Sequence, residues 1–241
     1  MPEALLEIRG LNVYFGQARI LQGIDLDVGR EPVTLVGRNG MGKTTLCQAL
    51  MGLVPVAGGS IRFVGVELVG KKPHRVVKAG LGYVPQGRRL FPSLSVHEHL
   101  KLVERTGEQR WTVERVYDLF PRLYERRRHG AAQLSGGEQQ MLAISRAMLG
   151  NPRLLVMDKP SEGLAPTIVD QLIQTVHQLV SEQTALLVIE QNLSVAAAIA
   201  DRLTIMVTGR IALETRSEDL LADEAAQRRY LGVSAHGEAA G

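Results

Sequence analysis

Nine residues constrain this chain more than any others: GRNGMGKTT, residues 37–45. They follow EPVTLVG, residues 31–37, whose β-branched residues and closing glycine read as a strand. They lead into Thr44–Met51, which reads as a helix. The pattern G-x-x-x-x-G-K-[ST] between a strand and a helix is a phosphate loop. Its glycines let the backbone curl until successive amides point at phosphate oxygens, and the helix N-terminus adds a positive end. Lys43 can reach the outer phosphates, and Thr44 can place its hydroxyl on Mg²⁺. Gly37, Arg38, Asn39, Gly40, Gly42, Lys43, Thr44 and Thr45 are therefore the candidate nucleotide-binding residues.

The rest of the chain suits an α/β fold around that loop. Leu154–Met157 and Ala185–Ile189 are fully apolar strands, as in the centre of a parallel sheet. Leu5–Ile8, Ile24–Val28, Ser60–Phe63 and Leu81–Pro85 read as further strands, and Arg202–Val207 with Arg210–Glu214 as a closing pair around Gly209. From about Phe91 to Gly130 charged and apolar residues mix at helical spacing, ending in a basic run, Arg126–Arg128, that reads as a solvated face. Glu138–Leu149 is helical, and Pro166 suits the first turn of a helix through Gln183. The expected organisation is one domain over residues 1–232, with a helical subdomain over about 91–149 and a frayed small, polar tail over 233–241.

Composition narrows the classes. Of 241 residues 45% are apolar, enough for a packed core. Aromatics are only 4%, which argues against a base-stacking nucleic-acid surface. The formal charge of +3 fits an ordinary solvated surface. The single cysteine, Cys47, allows no intramolecular disulfide and reads as a core filler. With no signal-peptide pattern in MPEALLEIRG, a reducing compartment is expected. No apolar run approaches the ~18 residues of a membrane span.

LSGGE, residues 134–138, lies 91 residues after Lys43 and just before the acid-ended strand at Asp158. Ser135 and Glu138 form an S-x-x-E capping box, and Gly136 and Gly137 expose amides at that helix start. With this motif the chain resembles the ATP-binding subunits of ABC (ATP-binding cassette) transporters, over roughly residues 5–232. The resemblance implies a P-loop NTPase fold: a mostly parallel sheet, an N-terminal antiparallel β layer and an inserted helical subdomain. It implies ATP and Mg²⁺, with each nucleotide held between one subunit's phosphate loop and the other's signature. Ser135, Gly136, Gly137 and Glu138 would contact nucleotide in that way. The family's usual fifth signature residue is Gln, so Glu138 brings negative charge near the phosphate. In VYFGQARIL, Phe15 matches the adenine-stacking ring, with Tyr14 as the second choice; both could instead pack in the core. Gln86 resembles the glutamine that touches Mg²⁺ and the attacking water. Asp158 would hold the Mg²⁺ shell, so Thr44, Gln86 and Asp158 are the metal candidates. Gln191 stands where many relatives carry a histidine on the γ-phosphate.

VPQGRRLFPSLSV, SEGLAP and IEQN together resemble one branch, the second ATPase subunit of branched-chain amino-acid importers, which includes urea and short-amide importers. GRNG and KKPHRV lean toward the urea-type members. The branch implies a second ATPase subunit, in a heterodimer or a homodimer, permease subunits in the inner membrane, an indirect solute-binding protein, and a peripheral location on the cytoplasmic face. Arg88–Phe91 is a candidate permease contact. ABC ATPases that act on DNA or ribosomes carry a coiled-coil insertion or two cassettes, and neither is present, so no nucleic-acid partner is expected.

One residue departs from the pattern. The family has Asp-Glu where this chain has Asp158-Lys159, and the Glu polarises the attacking water. Losing an acid–base group typically costs about 10² to 10⁴ in rate. Lys159 cannot act as the base, but it can neutralise phosphate charge and hold ATP longer. The subunit's own site is then slow or dead, while a site built from a partner's loop and Ser135–Glu138 could still turn over. A non-hydrolysing, ATP-gated regulatory subunit and a one-base change of a glutamate codon are the alternatives. Glu162 and Glu190 lie nearby in sequence and could supply a carboxylate instead, although neither is expected at a strand end in the usual way.

Overall fold

The computed structural model describes residues 4–104 and 109–232. The tail expected to fray, residues 233–241, lies outside them. A four-stranded antiparallel sheet has the order β2–β1–β4–β5, with β1 Leu6–Phe15, β2 Ala18–Val28, β4 Gly58–Phe63 and β5 Val66–Glu67. A six-stranded sheet has the order β10–β9–β3–β8–β7–β6. Its strands are β3 Val33–Val36, β6 Leu81–Val84, β7 Leu154–Asp158, β8 Ala185–Glu190, β9 Arg202–Val207 and β10 Arg210–Arg216. All its neighbours are parallel except β10 against β9. The helices are α1 Lys43–Leu50, α2 Pro73–Ala79, α3 Val96–Lys101, α4 Val113–Leu119, α5 Pro121–Glu125, α6 Gly136–Leu149, α7 Pro166–Ser181, α8 Leu193–Ile199, α9 Ser217–Ala222 and α10 Glu224–Ala226. The α/β architecture with an N-terminal antiparallel layer matches the expectation.

The central strands are buried from end to end because both faces are covered. On β7, Leu154 and Val156 pack with α1 and the small sheet, while Leu155 and Met157 pack with α6 and α7. On β8, Leu187 and Ile189 face the first cluster, and Leu186 and Val188 the second. Alternation with period two thus splits one apolar run between two cores. Cys47 is fully buried in the first core, as its apolar setting implied.

Two features differ from the sequence reading. The first hairpin is one long ribbon, not two short strands, because a bulge between Ile8 and Leu11 shifts the alternation. Buried Leu6 and Ile8 are followed out of step by buried Leu11 and Val13. The sequence reading also lacks the short helices α9 and α10 and the helices α2 and α8. None is longer than seven residues, too short for a helical period to show. Asn192 starts α8 by accepting from the amides of Ser194 and Val195.

The turn between β9 and β10 anchors the small sheet and the phosphate loop together. The Gly209 amide donates to the Met41 carbonyl at 3.0 Å, and its carbonyl accepts from the Gln22 amide at 2.8 Å. Gly209 has φ +73°, and a Cβ there would lie 2.0 Å from the Ile20 carbonyl oxygen. Gly65 has nearly the same φ, +76°, with open space around it. Gly209→Ala should therefore cost about 3 kcal/mol from strain plus overpacking, and Gly65→Ala only about 1 kcal/mol from strain. Urea unfolding of both variants checks the difference.

Candidate functional site

Strand register assembles the site. Val36 pairs with Glu190, and Asp158 with Ile189. Three loops therefore leave the same edge of the sheet side by side: residues 37–42 after β3, residue 159 onward after β7, and Gln191 after β8. Such carboxyl-end edges are where open α/β sheets bind ligands.

The phosphate loop is shaped by its glycines. Gly40 and Gly42 have φ of +79° and +99°, and a Cβ on Gly37 would meet the Met206 carbonyl oxygen at 2.4 Å. Gly42 caps α1 without any side-chain hydrogen bond, and no acid stands in the first turn. The helix start thus presents open amides and an uncancelled positive end. Lys43 is buried, and its ammonium donates to the carbonyls of Gly37 and of Arg38, the latter at 2.8 Å. Burial, then the charge of Lys159, pushes Lys43 down to about 8, against the pull of Asp158 and Glu190. Thr45 is buried beneath the loop, whereas Arg38 and Asn39 are exposed.

Lys159, Asn39 and Gln191 meet at one atom. Asn39 Oδ1 accepts from Lys159 Nζ at 3.0 Å and from Gln191 Nε2. Gln86 Nε2 donates to Glu162 Oε2 at 2.7 Å, and Glu162 lies 3.7 Å from Lys159 Nζ. Glu190 does end a strand, contrary to expectation, but it offers no free oxygen. Its Oε1 accepts from the Ser161 amide at 3.0 Å and its Oε2 from the Gln191 amide at 3.1 Å. It braces the loops after β7 and β8. Asp158 is buried too, and neither of its oxygens has a hydrogen-bond partner of good geometry. Burial pushes its carboxyl up, opposed by the Thr44 hydroxyl and by the charges of Lys159 and Lys43.

The signature residues stand at the start of α6. Ser135 Oγ accepts from the Glu138 amide at 3.3 Å, and Glu138 Oε2 accepts from the Ser135 amide at 2.7 Å. Gly136 faces the Arg88 guanidinium and Gly137 faces Ile168, each closer than a Cβ would allow comfortably. Arg126 Nε lies 3.8 Å from Glu138 Oε1. The basic run is thus more than a solvated face: Arg126 offsets the charge that Glu138 brings to the signature. Among the described residues no hydrogen bond or ion pair joins Ser135–Glu138 to the phosphate loop. Arg88 was missed as a link; its Nη1 donates to Gln139 at 3.1 Å, tying the loop after Gln86 to α6. Phe15 and Tyr14 are exposed at the β1–β2 turn, which removes the core-packing alternative.

A family model described as "ABC transporter" matches residues 21–162. The chain belongs to the ABC transporter ATP-binding family. The high-affinity branched-chain amino acid transport ATP-binding protein BraG of Pseudomonas aeruginosa is 38% identical over 232 residues, 95% of this chain and 100% of that relative. A probable branched-chain amino acid transport ATP-binding protein, LivF, of Archaeoglobus fulgidus is 32% identical, covering 92% of this chain and 97% of its own length. Among solved structures, the ATP-binding cassette MJ1267 of an ABC transporter shares the fold with a TM-score of 0.84 at 23% identity, covering 96% of this chain and all of its own.

The residues of this ABC ATPase fit a magnesium ion. The two buried carboxylate oxygens of Asp158, with no partner of good geometry and the Thr44 hydroxyl beside them, are hard-oxygen donors suited to it. Among the described residues no three His, Cys, Asp or Glu side chains cluster to hold a metal alone. A cation here would need nucleotide phosphate oxygens to complete its shell, which is how Mg²⁺ is commonly held. Without that cation the Asp158 charge is a cost to folding. Its carboxyl titrates higher folded than unfolded, so the penalty is present at neutral pH and fades as the pH falls through the folded value. Asp158→Asn should raise the melting temperature of the nucleotide-free protein at pH 7, by about 2–4 °C per kcal/mol relieved. The gain should shrink in acid, and Mg²⁺ should no longer strengthen ATP binding. Thermal melts across pH, with and without MgATP, check both.

Proposed function

We propose that this chain is the ATP-binding subunit of an importer for branched-chain amino acids. The observation that carries the reading is the 38% identity to BraG over that relative's whole length. Among the described residues no helix is long and apolar enough to cross a membrane, so the subunit would sit peripherally, on the cytoplasmic face beneath permease subunits. A groove of about 510 Å³ between α2, β6 and α6 supports that docking. It is lined by apolar Leu53 and Val77 and by Arg88, Arg89 and Arg146. Arg88 bridges this groove to the signature helix, so a push in the groove reaches Ser135–Glu138.

The chemistry would run as follows. ATP lies on the amides of residues 37–45, with the ring of Phe15 against adenine and Lys43 on the outer phosphates. Thr44 and Asp158, with Gln86 as a further candidate, would hold Mg²⁺, which would supply charge neutralisation for the phosphates. A second ATPase subunit, unlike or identical, supplies its signature to this loop and receives Ser135–Glu138 on its own nucleotide. Among the described residues at this loop, Glu190 accepts two backbone amides, Glu162 is held by Gln86 and Lys159, and Asp158 would be taken up by the cation, which leaves no carboxylate placed to polarise water. Hydrolysis at this loop is therefore slow, and the partner's loop sets the turnover. Lys159 also favours a second reading, in which the chain binds ATP as a gate without hydrolysing it.

Uptake of radiolabelled leucine, isoleucine and valine, in cells lacking this gene and complemented with wild type or Lys43→Ala, tests the transport reading. Wild type should restore uptake and Lys43→Ala should leave it at background. Restoration of urea uptake alone would move the chain to the urea-type relatives and overturn the amino-acid assignment.

A further inference from the structure

Lys159 is placed as a ligand-binding side chain, not as a spectator at a lost catalytic position. Its backbone is locked: φ is +51°, and its amide donates to the Ile189 carbonyl at 2.9 Å. A non-glycine residue in this left-handed region carries strain and persists only where its surroundings hold it. Its side chain is 12% exposed, and the ammonium reaches Asn39 Oδ1 in the middle of the phosphate loop. That contact is to a neutral amide oxygen shared with Gln191. The nearest acid, Glu162, is 3.7 Å away, half exposed and already bonded by Gln86, and Asp158 attracts the ammonium only at longer range. The ammonium thus lacks a close anionic partner while pointing into the space the loop reserves for anions.

Position selects which phosphate it would meet. The amides at the start of α1 would receive phosphate oxygens, and Thr44 with Asp158 would hold the cation. Lys159 and Gln191 follow directly on the ends of β7 and β8 and converge on Asn39 Oδ1, beside the Asp158 carboxylate that would hold the cation, so a terminal phosphate bound to that cation would lie within their reach. A glutamate in this backbone setting would be shorter and would leave room for a water, whereas a lysine spans that gap.

We infer that Lys159 is a γ-phosphate ligand: on nucleotide binding its ammonium exchanges Asn39 Oδ1 for a terminal phosphate oxygen, making the site selective for nucleoside triphosphate over diphosphate. The inference rests on the reading of the loop as a nucleotide site. No bond is made or broken in the exchange. A charge-assisted hydrogen bond is directional and strong, and a diphosphate has no oxygen in that position to receive it. Gln191, released from competition at Asn39, keeps the amide oxygen occupied while the lysine is away.

Equilibrium binding of MgATP, MgADP and the non-hydrolysable β,γ-imido triphosphate to the full chain tests this, with wild type, Lys159→Gln and Lys159→Arg. Lys159→Gln should weaken both triphosphates at least about tenfold, equivalent to about 1.4 kcal/mol, and leave MgADP unchanged. Lys159→Arg should keep most of the preference. Unchanged MgADP binding also certifies that the variant is folded. Equal losses for all three nucleotides, or no loss for the triphosphates, would overturn the inference while leaving the nucleotide site standing. Failure of wild type to bind any of them would overturn the site reading and this inference with it.

Discussion

The parallel register of β3, β8 and β7 is the constraint on which the site depends. Pairing Val36 with Glu190 and Asp158 with Ile189 puts three loop starts at one sheet edge. Because all three strands are buried on both faces, a one-residue slip would turn apolar side chains toward the wrong core and is strongly resisted. The rigid edge then holds side chains from positions 39, 159 and 191 on a single oxygen. Residues 120 and 152 positions apart in the chain meet there. Glu190 spends its carboxylate keeping the neighbouring loops at that distance.

Charge explains what this edge can do. Asp158 is buried with only the Thr44 hydroxyl beside it, an arrangement that costs about 1–3 kcal/mol for a group so poorly compensated. Lys43 is buried and depressed, with a second ammonium beside it. Both conditions are unfavourable in the free protein, and both are relieved by the same ligand, a polyphosphate carrying a divalent cation. The charge arrangement thus suits the proposed ligand, MgATP, at the expense of the nucleotide-free fold. In the proposed reading the same edge lacks a base, because Lys159 stands where the resemblance places the water-polarising acid. A dimer containing this chain would then have two unlike sites, one that grips nucleotide and one that turns it over.

Much of this was legible in the sequence, and for local reasons. The phosphate loop shows because glycines and a lysine at fixed spacing serve one short stretch of backbone. The signature shows because Ser135 and Glu138 cap each other within four residues. The six-stranded sheet shows because strands buried on both faces are apolar throughout. What stayed hidden depends on contacts across the chain or on interrupted periods. The bulge after Ile8 cut the first hairpin short in the sequence reading. The heptapeptide helices α2 and α8 hold too few turns to display a face. Arg126 read as solvated until Glu138 was found beside it, and Glu190 could not be told from a free acid before its two amide donors were seen. The roles of Gln86 and Phe15 rest on resemblance; the structure adds that Gln86 is bonded to Glu162 and that Phe15 is exposed at a turn.

The central claim is that a cation occupies the water-activating position of this phosphate site. Single-turnover ATP hydrolysis at saturating MgATP tests it most directly, comparing wild type with Lys159→Glu in the presence of a partner subunit whose own phosphate loop is disabled. The account predicts that Lys159→Glu is faster by about 10² or more. Equal rates would contradict it, because another group would then be orienting the water and Lys159 would not be what limits the chemistry.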